Sequence, residues 1–209
     1  MRTKFFLRYG LSIIILFCSG CTLFKTTPDR TRLFDIGFKW KQSTTSSIDG
    51  AKIRLVLNDF PDYLDGPQIV TKIGKHELKS NPLYRWATPL SETILHIVRR
   101  SIQQSFPKVR IHEFPKDGAC KVDYTLRLDI DELEICETTQ QIIFVGTWTF
   151  SDSKQEYVNR FDFEFHESFS EGFDRYGEMV AKVEQVIFNL GDAIIKQINL
   201  ILLEKETKK

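Results

Sequence analysis

Five stretches of the chain alternate apolar and polar residues with a period of two. The first is Phe34, Ile36, Phe38 and Trp40, interleaved with Asp35, Gly37, Lys39 and Lys41. Such alternation is the signature of a strand buried on one side. Ile53, Leu55 and Leu57 repeat it before Pro61. Further on, Val122, Tyr124, Leu126, Leu128 and Ile130 share one parity, but the apolar set then moves to Leu133 and Ile135. A parity switch inside a strand requires an extra residue, so a bulge or turn is expected near Asp131 and Glu132. Ile142, Phe144, Trp148 and Phe150 form one face of the next strand, and Phe161, Phe163 and Phe165 alternate with Asp162, Glu164 and His166 in the one after.

Two segments carry helical spacing instead. In TPLSETILHIVRRSIQQSF, Thr88 is positioned to cap, Pro89 suits the first turn, and Leu90, Ile94, Ile97, Val98 and Phe106 fall on one face before Pro107 stops the helix. From about Phe173 to Leu203, Tyr176, Val180, Val183, Ile187, Leu190, Ile194, Ile198 and Ile201 recur at three and four. A helix of that length would reach roughly 46 Å, longer than a small sheet is wide, so its last turns are expected to project towards a partner. Strands with one apolar face and helices with one apolar stripe predict a two-layer α+β fold. Its mostly antiparallel sheet should be packed by a central helix and a long C-terminal helix.

Composition narrows the function classes. The 209 residues suit one domain, and 29 Lys plus Arg against 28 Asp plus Glu provide no field for nucleic acid. The N-terminus departs from this average. Arg2, Lys4 and Arg8 precede the apolar run LSIIILF, Leu11 to Phe17, which is too short to span a bilayer and fits a secretory signal. Ser19 and Gly20 are small, and LFCSGCTLF resembles the bacterial lipobox, with Cys18 where Leu is usual. By that resemblance, cleavage between Gly20 and Cys21 leaves Cys21 carrying a covalent lipid, the chain's one non-protein group. Thr22 is not the Asp usually read as an inner-membrane retention signal, which implies the periplasmic leaflet of an outer membrane. A plain signal peptide or an N-terminal anchor helix is the alternative. A thiol redox or metal pair fits poorly, because such pairs sit on folded scaffolds and this one ends an apolar run. Removing the leader removes three cations and leaves a slightly acidic mature chain.

The expected organisation is a signal peptide at 1–20, a lipidated N-terminus and tether at 21–32, one domain at 33–203 and a charged tail at 204–209. A ten-residue tether spans roughly 17 Å as a coil, which holds the domain close to its membrane. No fixed-period repeat is present.

The chemistry-bearing residues are dispersed. His76, His96, His112 and His166 lack zinc-ligand spacing, and the sequence has no GxGxxG, GxxxxGK, GxSxG or HExxH. Nothing argues for an enzyme, a metal or a catalytic residue. Cys120 and Cys136 would lie some 50 Å apart along one extended strand, so a disulfide requires a fold-back at the parity switch. Otherwise they are two buried thiols.

PDYLDGPQIV, Pro61 to Val70, forces a rigid turn that re-enters a strand at Gln68. With Asn81, WATPL at Trp86 to Leu90, TRLFDIG and EGFDRYGEMVAKV, it resembles the PqiC/YmbA-like family of ABC-transport auxiliary lipoproteins over nearly all of the mature chain. The resemblance implies a non-catalytic accessory subunit of a phospholipid-transport system. Such a subunit sits on the outer membrane, supports its integrity, docks the periplasmic tunnel built by an MCE-domain protein, and self-associates into a homo-oligomeric ring. Tyr63, Leu64 and Trp86 are the candidate docking residues, weighed against a role as core plugs. The alternative is a lipid-anchored binding or envelope-assembly module that shares only the topology.

Overall fold

The computed structural model describes residues 29–37, 50–113, 116, 121–155, 158–170 and 172–207. The chain divides into two compact units, Met1–Arg30 and Thr31–Lys209, and every strand and helix among the described residues lies in the second. The leader, Cys18, Gly20, Cys21, Thr22, Phe38, Trp40 and Cys120 lie outside the described residues.

Eight strands form one mixed sheet: β1 (Arg32–Phe34), β2 (Lys52–Asp59), β3 (Gln68–Lys72), β4 (Leu78–Trp86), β5 (Arg110–Glu113), β6 (Tyr124–Cys136), β7 (Gln141–Asp152) and β8 (Val158–Ser168). The two helices are α1 (Leu90–Ser105) and α2 (Arg175–Thr207). This is the α+β architecture that the alternation predicts, and the long ladders β6–β7 and β7–β8 are antiparallel.

The centre of the sheet is β6. One of its edges carries β7 along the whole strand. The other edge is shared: β2 runs parallel to the first half, from Ile53 beside Tyr124 to Asp59 beside Asp129, and β3 rejoins at the far end through Lys72 and Cys136. Between them the chain steps out of the sheet at Pro61–Pro67. Strands β4 and β1 extend β3 into a small ribbon, and β5 lies parallel to β2 at the opposite edge.

The parity switch in β6 is a bulge. Ile130 faces Gly146 and Glu132 faces Val145, which leaves Asp131 as the extra residue. Leu126, Leu128, Ile130, Leu133 and Ile135 are consequently all buried on one face. Opposite the bulge the strands approach so closely that a Cβ on Gly146 would stand 2.3 Å from the Asp129 carbonyl oxygen. The Phe163 ring, paired across β8, covers the space that the missing side chain leaves.

Both helices lie on that apolar face. Leu90, Ile94, Ile97, Val98 and Phe106 of the α1 segment are buried, as are Val180, Val183, Ile187, Leu190, Ile194 and Ile198 of α2. The helices meet where Gly191 approaches Ser101, whose hydroxyl would be 2.8 Å from an added Cβ. At 33 residues α2 is about 50 Å long, and beyond Ile198 the burial fades, with Leu200 and Leu203 exposed. The helix is long and apolar enough to cross a membrane by length and composition, but its apolar stripe is spent on the sheet. Thr88 does not cap α1. Pro89 occupies the cap position, and its carbonyl accepts hydrogen bonds from the Thr93 amide at 3.0 Å and the Thr93 hydroxyl at 3.1 Å.

Candidate docking surface

The Pro61–Pro67 excursion begins with a single 3₁₀ turn, Asp62–Leu64, closed by the Leu64 amide on the Pro61 carbonyl at 2.9 Å. It rejoins the sheet where the Trp86 amide donates to the Pro67 carbonyl at 2.8 Å. Asp65 accepts from the Ser91 hydroxyl in the first turn of α1, where a carboxylate also opposes the positive end of the helix dipole. The PDYLDGP and WATPL motifs are thus one structural unit that bolts the excursion to the helix start. The three candidate docking residues separate within it. Leu64 and Trp86 are only 4% and 6% exposed and belong to the core, whereas Tyr63 is 45% exposed. Leu64 and Trp86 plug the turn from beneath, and Tyr63 alone offers a ring to solvent.

Tyr63 borders a cleft of about 250 Å³ against the stretch of β6 that neither β2 nor β3 covers, Asp131 to Ile135, with Leu78 at its rim. Glu134 pairs with Lys72 there. A hydrogen bond to Glu134, followed by partial burial, holds the Glu132 carboxyl above its ordinary pKa. Burial first, and the charges of Glu132 and Glu134 next, also raise the Tyr63 phenol. A raised carboxyl pKa contributes stability below the unfolded value and loses it as pH rises through the folded one. Glu132→Gln is therefore expected to raise the melting temperature at pH 7 by about 2 °C after solvent screening, a gain that vanishes as the pH falls to about 4. Thermal unfolding followed by circular dichroism at both pH values checks this.

The segment leading into α2 also resolves into structural roles. Asp174 pairs with Arg32 of β1 at 3.0 Å, and Arg175 pairs with Glu137 at 3.2 Å. Tyr176 stacks on Tyr84 with ring centroids 3.9 Å apart. Gly177 leaves room for the Asp174 carboxylate, which a Cβ would meet at 2.4 Å. Glu178 accepts from the Ser170 amide and hydroxyl, both at 2.8 Å, and these bonds hold its carboxyl below the usual range. Glu137 in turn accepts from the Thr71 hydroxyl at 2.6 Å and pairs with Lys79 at 3.5 Å. The DRYGE motif thus pins α2 to the ribbon, and every one of its side chains is occupied.

The remaining candidate chemistry stays dispersed. His166 contacts Glu164 at 2.7 Å, His96 is exposed on α1 with its pKa lowered by partial burial and then by Arg99 and Arg100, and Cys136 is a free, buried thiol. Among the described residues no three His, Cys, Asp or Glu side chains gather into a metal-binding group. Sequence reasoning did not find the broad groove of about 900 Å³ on the helix-free face of the sheet, lined by Arg54, Arg127, Thr125 and Thr149. Its lining residues come from β2, β6, β7, the start of β8 and the adjoining loops, and the parallel placement of β2 brings its residues beside the meander.

The fold is shared with solved proteins. A Xanthomonas campestris protein superposes with a TM-score of 0.67 over 86% of this chain and 100% of its own, at 15% identity. The crystal structure of an uncharacterized protein matches with a TM-score of 0.59 over 77% of this chain and 99% of that one, at 17% identity. No curated protein sequence matches the chain. The family model described as "ABC-type transport auxiliary lipoprotein component" matches residues 41–195. That span takes in the excursion, its junction with α1, the bulged meander and the pinned start of α2, and the chain belongs to the ABC-type transport auxiliary lipoprotein family.

Proposed function

We propose that this protein is a non-catalytic, lipid-anchored accessory subunit of an MCE/ABC-type phospholipid transport system. In this reading it is held at the periplasmic leaflet of the outer membrane through Cys21 and links that membrane to the periplasmic tunnel. The family match over residues 41–195 carries the proposal. It is supported by the way the family-like motifs are used: their polar groups hold the ribbon, the excursion and α2 together rather than converging on a reaction centre. An adaptor needs a rigid scaffold and an exposed contact, and Tyr63 is the exposed member of the docking trio, with Leu64 and Trp86 fixing its turn.

Crosslinking the native lipoprotein in cells and purifying it is expected to recover an MCE-domain protein. Tyr63→Ala should lower that recovery about tenfold, the range of a single aromatic contact residue, without altering the melting temperature. A crosslinked purification that recovers no MCE-domain partner would overturn the proposal.

A further inference from the structure

The sheet face that the helices leave bare carries an ordered set of polar groups. On β2 and β6 the residues Ile53, Leu55, Leu126 and Leu128 are buried on the helix side, so alternation turns Arg54, Val56, Thr125 and Arg127 the other way. Strand pairing lays these side chains in two adjacent rows on the floor of the groove of about 900 Å³. Arg54, Thr125, Ser151 and Val158 make one row, and Val56, Arg127 and Thr149 make the next. Arg54 and Arg127 are thus diagonal neighbours, with Cα atoms about 7 to 8 Å apart. Both guanidinium groups can reach a single ligand lying between them.

The surroundings favour an anion from outside the chain. An opposite charge directly across a ladder stabilises a sheet, yet the residues across from Arg127 are Val56 and Thr149. The hydroxyls of Thr125, Thr149 and Ser151 add donors to the same floor. Lys121 supplies a third cation to the lining, against the two carboxylates of Asp123 and Asp152. Those carboxylates stand at one end, beside and across from Tyr124, about 10 Å or more along the strands from the Arg127–Thr149 pair. Asp123 already accepts from the Lys52 amide at 2.8 Å. Beyond Arg127 on the other side, Asp129 accepts from the Asn58 side-chain amide at 2.6 Å.

We infer that this groove binds a phosphate group, whose oxygens are taken by the Arg54 and Arg127 guanidiniums and by the hydroxyls between them. A carboxylate has two oxygens, which one guanidinium fork satisfies. A second fork and three hydroxyls match the larger oxygen set of a phosphate. Each guanidinium has five N–H donors, so an arginine can keep a contact within the protein and still hold the ligand. Valines stand at opposite corners of the two rows: Val56 lies beside Arg127, and Val158, 59% exposed, ends the row that Arg54 begins. They suit an ester with an apolar substituent, and the groove, at the upper end of small-molecule sites in size, has room for one. Free phosphate and the phosphodiester of a lipid headgroup share this chemistry. The groove has no lining residue in common with the Tyr63 cleft, and the site does not depend on the transport role proposed above.

The test titrates the full-length protein in dodecyl maltoside by calorimetry with inorganic phosphate, dihexanoyl phosphatidylglycerol and hexanoate, subtracting the heat of protein-free micelles. At least one of the phosphate probes is expected to saturate a single site and to bind more tightly than hexanoate. Arg127→Gln and Arg54→Gln should each weaken that binding about tenfold, as loss of hydrogen bonds to a charged group demands. Arg127→Lys should restore only part of it, because the ammonium keeps the charge and loses the fork. Lys196→Gln removes the same charge from α2, on the helix side of the sheet, and should leave the affinity unchanged. Tighter binding of the lipid assigns the site to an ester, and equal or tighter binding of inorganic phosphate assigns it to the free anion. Three results overturn the inference: no saturable binding of either phosphate, hexanoate binding as tightly, or an affinity unmoved by Arg127→Gln in protein that melts like the parent. None of them bears on recovery of an MCE-domain partner, so the two proposals fail separately.

Discussion

Gly146→Val is expected to destabilise the domain by about 3 kcal/mol, enough to move a urea unfolding midpoint down by about 1.5 M. Three atoms stand in the way of the new side chain. A Cβ at this position meets the Asp129 carbonyl oxygen at 2.3 Å, the Phe163 ring at 2.9 Å and the Ile130 Cα at 3.1 Å. Two of these are backbone atoms of the central strand, which cannot turn aside as a side-chain terminus can. Phe163 is 7% exposed and rests edge-on against Phe144, centroids 5.0 Å apart, so it has little room to yield either. The site also holds the bulge that keeps Leu133 and Ile135 facing the core after Ile130. A register shift that relieves the clash therefore turns the end of β6 inside out. Gly66→Ala, where an added Cβ meets nothing within 4 Å, is the matched control and should move the midpoint far less. An unchanged midpoint for Gly146→Val would falsify the close approach of β6 and β7.

The second large effect is on location. Cys21→Ser is expected to abolish palmitate labelling and to shift the protein from the membrane fraction to the soluble fraction by more than about tenfold. Each buried methylene of an acyl chain contributes about 0.8 kcal/mol, so losing all the chains of a mature lipoprotein leaves no comparable attraction. Melting of the domain should not change, because the compact unit begins at Thr31. Separating the two readouts distinguishes loss of the anchor from loss of the fold. Labelling that survives the substitution would end the lipoprotein assignment.

The meander β6–β7–β8 and both helices were legible because each buries a continuous apolar face, and burial writes a period into the sequence. The bulge was legible for the same reason, as a break in that period. Strand β4 was not, since LKSNPLYRW is mostly exposed, carries a proline and has no alternation to read. Four-residue β5, at the sheet edge, is similarly silent. The parallel placement of β2 against β6 also escaped, because alternation specifies a face and not a neighbour. The expected first strand, Phe34 to Trp40, meets β1 only at Phe34: Asp35 to Gly37 belong to no strand, and Phe38 and Trp40 lie outside the described residues. At the docking surface, the proline-flanked turn could be read from composition. Which aromatic points outward could not, because Leu64 and Trp86 are buried by strands distant in sequence. The DRYGE side chains were equally opaque, as Arg32 and Asp174 are separated by 142 positions.

The sharing of one β6 edge between β2 and β3 sets an order of events. Strands β6, β7 and β8 are joined by tight connections, so their pairing closes short loops and can form early. Strand β2 finds its partner Tyr124–Asp129 only after some seventy intervening residues are available, and β3 waits for Cys136. A chain made from its N-terminus can thus pair β1 and β3 with β4 early, but holds β2 unpaired until the second half has emerged. Strand β2 then meets a β6 already fixed on its other side by β7, so the parallel half of the sheet is completed on a finished antiparallel template.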